Sequence, residues 1–91
     1  MASTLELFMR RFIAALHCYD EAIEQSHAEW GRICKEYDTL DEALVDHQIA
    51  ENVAKLKTAR EVFRDEVLSI IGEIFGMKME DLVRRQFDRL H

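Results

Sequence analysis

The sequence predicts an all-α protein: an elongated antiparallel helical hairpin with a short third helix at its C-terminal end. Three observations carry that reading. The 91 residues contain no proline and only three glycines, so little forces the chain to turn. Ile49, Val53, Leu56, Arg60, Phe63, Val67, Ile70 and Ile74 recur at alternating steps of four and three, which holds one stripe on one face of a helix. The helix carrying that stripe would run about 54 Å at 1.5 Å per residue. A compact globule of this length has a radius of gyration near 12 Å. The molecule must therefore be long rather than round, and residues 1–91 read as a single helical domain.

The first helix is expected over about residues 4–37. Ser3, Thr4, Leu5 and Glu6 make a capping-box pattern with Ser3 as the N-cap. Leu5, Phe8, Phe12, Leu16, Tyr19, Ile23, Trp30, Cys34 and Tyr37 fall near one face, and Met9, Ile13 and Ala15 widen its first half. A turn is expected at Asp38-Thr39, where Thr39 and Glu42 offer a second capping box. The second helix then covers about 40–75, with Gly76 just past its end as a C-terminal stop. A third helix is expected over about 78–90, with Leu82, Val83, Gln86, Phe87 and Leu90 on one side and Glu80–Arg84 and Asp81–Arg85 as i,i+4 pairs.

A hairpin turning at 38–39 sets Leu5 to Leu16 against Arg60 to Gly72, the two most apolar stretches. At 100° per residue, Val67, Leu68, Ile70, Ile71, Ile74 and Phe75 cover an arc of about 160°. One neighbouring helix does not cover so wide an arc. The third helix can take part of it and a second copy of the chain the rest, which makes a bundle core by dimerisation. Phe8, Phe12, Phe63, Val67, Ile70, Ile71 and Ile74 are the expected core or dimer-interface residues.

Net charge is −6, and it is concentrated. Residues 20–46 hold nine acids against Arg32 and Lys35, a net of −7, whereas residues 47–91 balance eight acids with eight bases. Direct nucleic-acid binding needs a basic face, so it is not expected. Cys18 and Cys34 are sixteen residues apart. One helix carrying both separates them by about 24 Å, far beyond disulfide reach, so they read as free thiols in a reducing compartment. No leader with a cleavage site and no apolar run of membrane-spanning length is evident. A cytoplasmic setting is expected, with no membrane partner.

Few residues suggest chemistry. Glu24-Gln25-Ser26-His27 is a Glu-x-x-His element, which puts two ligands on one helix face, and His47 and Glu51 would face it. In that tetrapeptide the chain resembles the ferritin-like proteins, whose bundles hold two metals between Glu and Glu-x-x-His ligands. The resemblance implies a metal-binding half-bundle with Glu24, His27, His47 and Glu51 as ligands. His27 and Gly31 resemble the His-x-x-Lys-Gly of phosphotransfer bundles, but Trp30 replaces the lysine and removes the cation beside the phosphoryl acceptor. No Glu-x-x-Asp follows Glu21-Ala22-Ile23-Glu24, so the acidic motif of the all-α nucleotide pyrophosphohydrolases is incomplete. Trp30-Gly31 lacks the residue that separates the pair in WXG proteins. Arg60, inside the apolar stripe, is expected either to pair with Asp20 or Glu21 or to lay its methylenes along the core edge. Cys34 is expected as a small core filler.

With no nucleophile–base pair and no phosphate loop, the expected function is non-enzymatic, with no cofactor. The chain reads as a protein–protein interaction module, an adaptor or inhibitor, acting as a homodimer with an acidic tip at Asp38, Asp41, Glu42 and Asp46. One variant of that reading is an inhibitor that occupies a basic or nucleic-acid-binding site of a larger enzyme.

Overall fold

A computed structural model describes residues 3–39 and 41–90. Helix α1 (Thr4–Glu36) leads through a 3₁₀ turn (Tyr37–Thr39) to α2 (Glu42–Phe75), and α3 (Met77–Leu90) follows. The expected all-α hairpin with a short third helix is what forms. Ser3 caps α1 as its spacing predicts, its hydroxyl accepting from the Glu6 N–H at 3.1 Å.

The second capping box does not form. Asp41, not Thr39, is the N-cap of α2. Thr39 instead donates its hydroxyl to the Glu36 carbonyl at 2.9 Å, which closes the end of α1. That use satisfies one of the carbonyls left free at a helix end, and it delays α2 to Glu42. Leu40, the expected first residue of the second helix, lies outside the described residues. Gly76 ends α2 as expected. Its φ is +92°, a region that side-chain-bearing residues rarely adopt, and its N–H returns to the Gly72 carbonyl.

The hairpin seam is narrower than the apolar stripes suggest. Phe12, Tyr19, Ser26 and Ile33 step along α1 in sevens, and Val45, Asn52, Ala59 and Glu66 do so along α2. A seven-residue step is the repeat of a coiled-coil seam. Phe12 and Tyr19 both meet Phe63, at ring centroid distances of 6.3 and 5.1 Å. Further along, buried Asn52 donates to the Ser26 carbonyl at 3.3 Å. Cys34 is consequently exposed rather than a core filler, because its neighbour Ile33 takes the seam position.

On its other side α2 carries α3. Arg64, Leu68 and Gly72 form a row at i+4 spacing. Arg64 pairs with Asp88 at 2.8 Å. Gly72 sits under Glu80, and a Cβ there would lie 2.6 Å from the Glu80 carboxylate oxygen. Leu68, between them, is only 1% exposed. Since α1 and α3 flank α2 on nearly opposite sides, the three helices lie in one layer. The extents are 54 × 31 × 13 Å and the radius of gyration is 17.6 Å, against about 12 Å for a compact chain. The thinnest dimension is close to the 10–12 Å diameter of a single helix. Only Ile33, Val45, Val67, Leu68 and Ile70 are buried apolar side chains among the described residues.

Candidate functional site

A layer one helix thick has two broad faces, and contacts identify them. On α1, Arg11 reaches across to α2, donating to Glu66 at 2.8 Å and to Ser69 at 3.4 Å, and it also pairs with Glu73. Hydrogen bonds from the guanidinium to Glu66 and Glu73 hold its pKa above the ordinary arginine value. Near the turn, Arg32 makes a matching clasp. It pairs with Glu29 and Glu36 on its own helix and donates to Gln48 of α2 at 3.0 Å. Those Arg32 hydrogen bonds hold the Glu29 carboxyl below the usual carboxylate range. On α3, Glu80 pairs with Arg84 at 3.2 Å beside Gly72, Ser69 and Glu73. All of these groups lie on one face, the ion-paired face.

Two clefts open between α1 and α2. One, of about 410 Å³, is lined by Gln25, Ser26, Glu29, Gln48, Glu51, Asn52 and Lys55. Its charged groups are spent on one another: Lys55 lies 3.5 Å from Glu51, and Arg32 holds Glu29. The other, of about 390 Å³, is apolar, with Ala14, Ala15 and Ala59 against Tyr19, Val62 and Phe63 and with Cys18 at its side. Small residues leave the hairpin unfilled there.

The opposite face is apolar. At about 100° per residue, Leu5, Met9, Ile13 and Leu16 stand roughly 120–160° round α1 from Arg11. On α2, Val67, Ile71 and Ile74 stand about 140–160° from Ser69 by the same rule, and on α3 Met79, Leu82 and Leu90 turn well away from Arg84. Leu5 is 65% exposed, Ile13 57%, Leu82 52% and Leu90 77%. Not every exposed apolar side chain is here: Leu7, Leu44 and Val62 lie toward the ion-paired side.

The expected interface residues are split by this geometry. Val67 and Ile70 are buried, Phe8, Phe12, Phe63 and Ile71 half-buried, and Ile74 exposed. α3 covers the Leu68 side of the 160° arc and α1 the Ile70 side, which leaves Ile74 open between them. Asp38, Asp41, Glu42 and Asp46 are all exposed at the turn end.

Arg60 has no carboxylate partner among the described residues; it lies half-buried beside Phe87 of α3, which is the core-edge alternative. Arg11 and Arg64 make the cross-helix ion pairs instead. The four expected metal donors are not gathered in one chain. Glu24 and His27 are exposed on α1, while His47 approaches Glu51 on its own helix at 3.9 Å. Among the described residues no three His, Cys, Asp or Glu side chains lie close enough to share a cation. No helix is long and apolar enough to cross a membrane.

Sequence reasoning missed Arg11, Ser26 and Asn52. Nothing separates Arg11 from other surface arginines in the sequence. The sevenfold run through Ser26 and Asn52 is present in the sequence, but both residues are polar and do not add to an apolar stripe. Comparison with protein-family models, with curated proteins and with solved structures finds no match to this chain. The class is therefore set by the architecture alone: a three-helix, single-layer hairpin protein.

Proposed function

We propose that the chain is a non-enzymatic protein–protein interaction module, an adaptor or inhibitor, that acts as a homodimer and offers its acidic turn to a basic partner. The observation that carries this is the single-layer architecture. It leaves large apolar side chains of all three helices in water, and exposed apolar patches of that kind mark interaction surfaces. The accessible surface supports the same reading. The chain exposes 7119 Å², whereas a compact monomer of its mass exposes about 5,500 Å². Two unpaired thiols suit a reducing, cytoplasmic setting.

The acidic turn supplies selectivity. Nine acids against two bases in residues 20–46 make a negative field, which speeds encounter with a basic surface and repels nucleic acid. The test changes Asp38, Asp41, Glu42 and Asp46 to Asn or Gln. These side chains are exposed, so helicity and dimer mass should persist. Proteins captured by the native chain at low salt should be released by added salt and lost by the variant, chiefly through slower association. Equal capture by both forms would mean that the tip is solvated surface only.

A further inference from the structure

We infer that two copies pair through the open half of the apolar face, antiparallel, so that their acidic turns point to opposite ends of the dimer. This rests on the homodimer proposed above and specifies its surface and its geometry.

The occupant follows from area. The excess surface over a compact monomer is about 1,600 Å². A stable interface hides about 800 Å² on each partner, and obligate homodimers hide more. A second copy laid face to face removes an area of that order from each chain. It also turns a layer without a closed core into two layers around one. Closed two-fold pairing is the commonest symmetry for such an assembly.

The position follows from where the apolar side chains lie. Leu5, Met9, Ile13 and Leu16 of α1, with Ile74 and Met79 beside them, occupy the half of the layer remote from the turn. Arg11, Glu66 and Glu73 fill the reverse side of that half with ion pairs, so the apolar side is the one to be covered. Toward the turn the same face carries Asp20 and His27, both exposed.

The orientation follows from charge. Each turn region bears a net of −7. Parallel stacking would set two such regions about 10 Å apart, the spacing of packed helix layers, close to the screening length at physiological salt. Antiparallel pairing over the open halves removes that repulsion. It also makes the dimer bivalent, with two identical acidic ends facing away from each other.

Two measurements test this. Cys18 and Cys34 are both exposed, so a Cys18→Ser chain can carry one spin label, at Cys34. With the dimer axis near residue 11, each label lies about 35 Å from it along the helix, giving a label–label distance of about 70 Å. A distance near 40 Å, as from full antiparallel overlap, or below about 30 Å, as from parallel stacking, overturns the geometry while leaving a homodimer in place. The second measurement contrasts the two faces by sedimentation. Leu16 and Val62 are 46% and 63% exposed, on the apolar and ion-paired sides respectively. Leu16→Glu should give a helical monomer at the chain mass of 10.7 kDa, and Val62→Glu should keep the native dimer mass. The reverse result assigns the interface to the ion-paired face and overturns the inference. A native chain that is monomeric at micromolar concentration, its apolar face then left to a different protein, overturns this inference and the homodimer together.

Discussion

Leu68→Ala is the sharpest test of how α3 is held. Leu68 is the most buried side chain among the described residues, at 1% exposure, and it stands in the row between Arg64 and Gly72, both of which touch α3. Truncating a fully buried leucine costs about 2–5 kcal/mol, the transfer of the lost carbons plus the cavity they leave. A domain of this length is expected to hold about 5–14 kcal/mol in total, so a loss near 3 kcal/mol is a large share. The loss should fall first on α3. It packs mainly on α2, and at 14 residues it is too short to be a stable helix in isolation. Urea unfolding should be followed by far-UV circular dichroism and by Trp30 fluorescence, at one fixed protein concentration because self-association would make stability depend on it. The expected result is a native helical signal reduced by up to about one-sixth, the share of α3 beside helices of 33 and 34 residues. Trp30 emission, which reports the turn half of α1, should stay native until the main transition. A stability change under about 0.5 kcal/mol, the size of a surface effect, would refute the burial of Leu68 beneath α3. Concerted loss of both signals would refute α3 as the weakest element.

Three other outcomes are expected. Asn52→Leu should raise the melting temperature while broadening the amide NMR spectrum, because a polar side chain in a coiled-coil seam fixes register at a cost in stability; a loss of more than about 1 kcal/mol would mean that its hydrogen bond to Ser26 dominates. Gly31 is helical with nothing within 4 Å of an added Cβ, whereas Gly76 holds a φ of +92°, so Gly31→Ala should stabilise by about 1 kcal/mol and Gly76→Ala should destabilise by a similar amount. Equal effects in denaturant titrations would contradict the local backbone at Gly76. Finally, hydrogen bonds from Arg32 depress the folded-state pKa of Glu29, and a depressed carboxyl contributes stability above its ordinary pKa and loses it as pH falls through the folded value. The stability gap between the native chain and Glu29→Gln should therefore narrow as pH drops from neutral through the carboxylate range, and a gap that is constant with pH would remove that pair from the account.

What could be read from the sequence was whatever periodicity encodes. The Ser3 cap and the stop at Gly76 each have a local physical cause, and each appears where the spacing puts it. The register of the hairpin was also legible, because two long helices joined by a short turn leave little freedom along their axes. Rotation about those axes was not. α1 turns Phe12, Tyr19, Ser26 and Ile33 inward rather than Trp30 and Cys34, and only the facing helix decides between two stripes that lie within one turn of each other. Thr39 failed as a cap for a similar reason: a hydroxyl between two helices can serve the end of one or the start of the next, and its geometry at Glu36 settles which. The site was the least legible part. Acidity at the turn is a property of composition, but the division of the layer into an ion-paired and an apolar face depends on which arginines reach across.

That division also explains why the chain does not cover its own apolar face. A closed three-helix bundle would need α3 to swing from the edge of α2 into the groove between α1 and α2. To do so it would leave the row that fixes it. Arg64 would lose Asp88, although its Nε is already buried without a partner, and stripping the remaining contact from a partly buried guanidinium is costly. Glu80 would lose the notch at Gly72, where the absence of a Cβ lets it pack close while it holds Arg84. The move would cover Leu5 to Leu16 only in part, since α3 has 14 residues and α1 has 33. A second chain, as proposed above, would cover the same surface without breaking any of those contacts. The open layer thus keeps the Arg64–Asp88 pair and the close fit of Glu80 at Gly72, and the apolar face is what that arrangement leaves exposed.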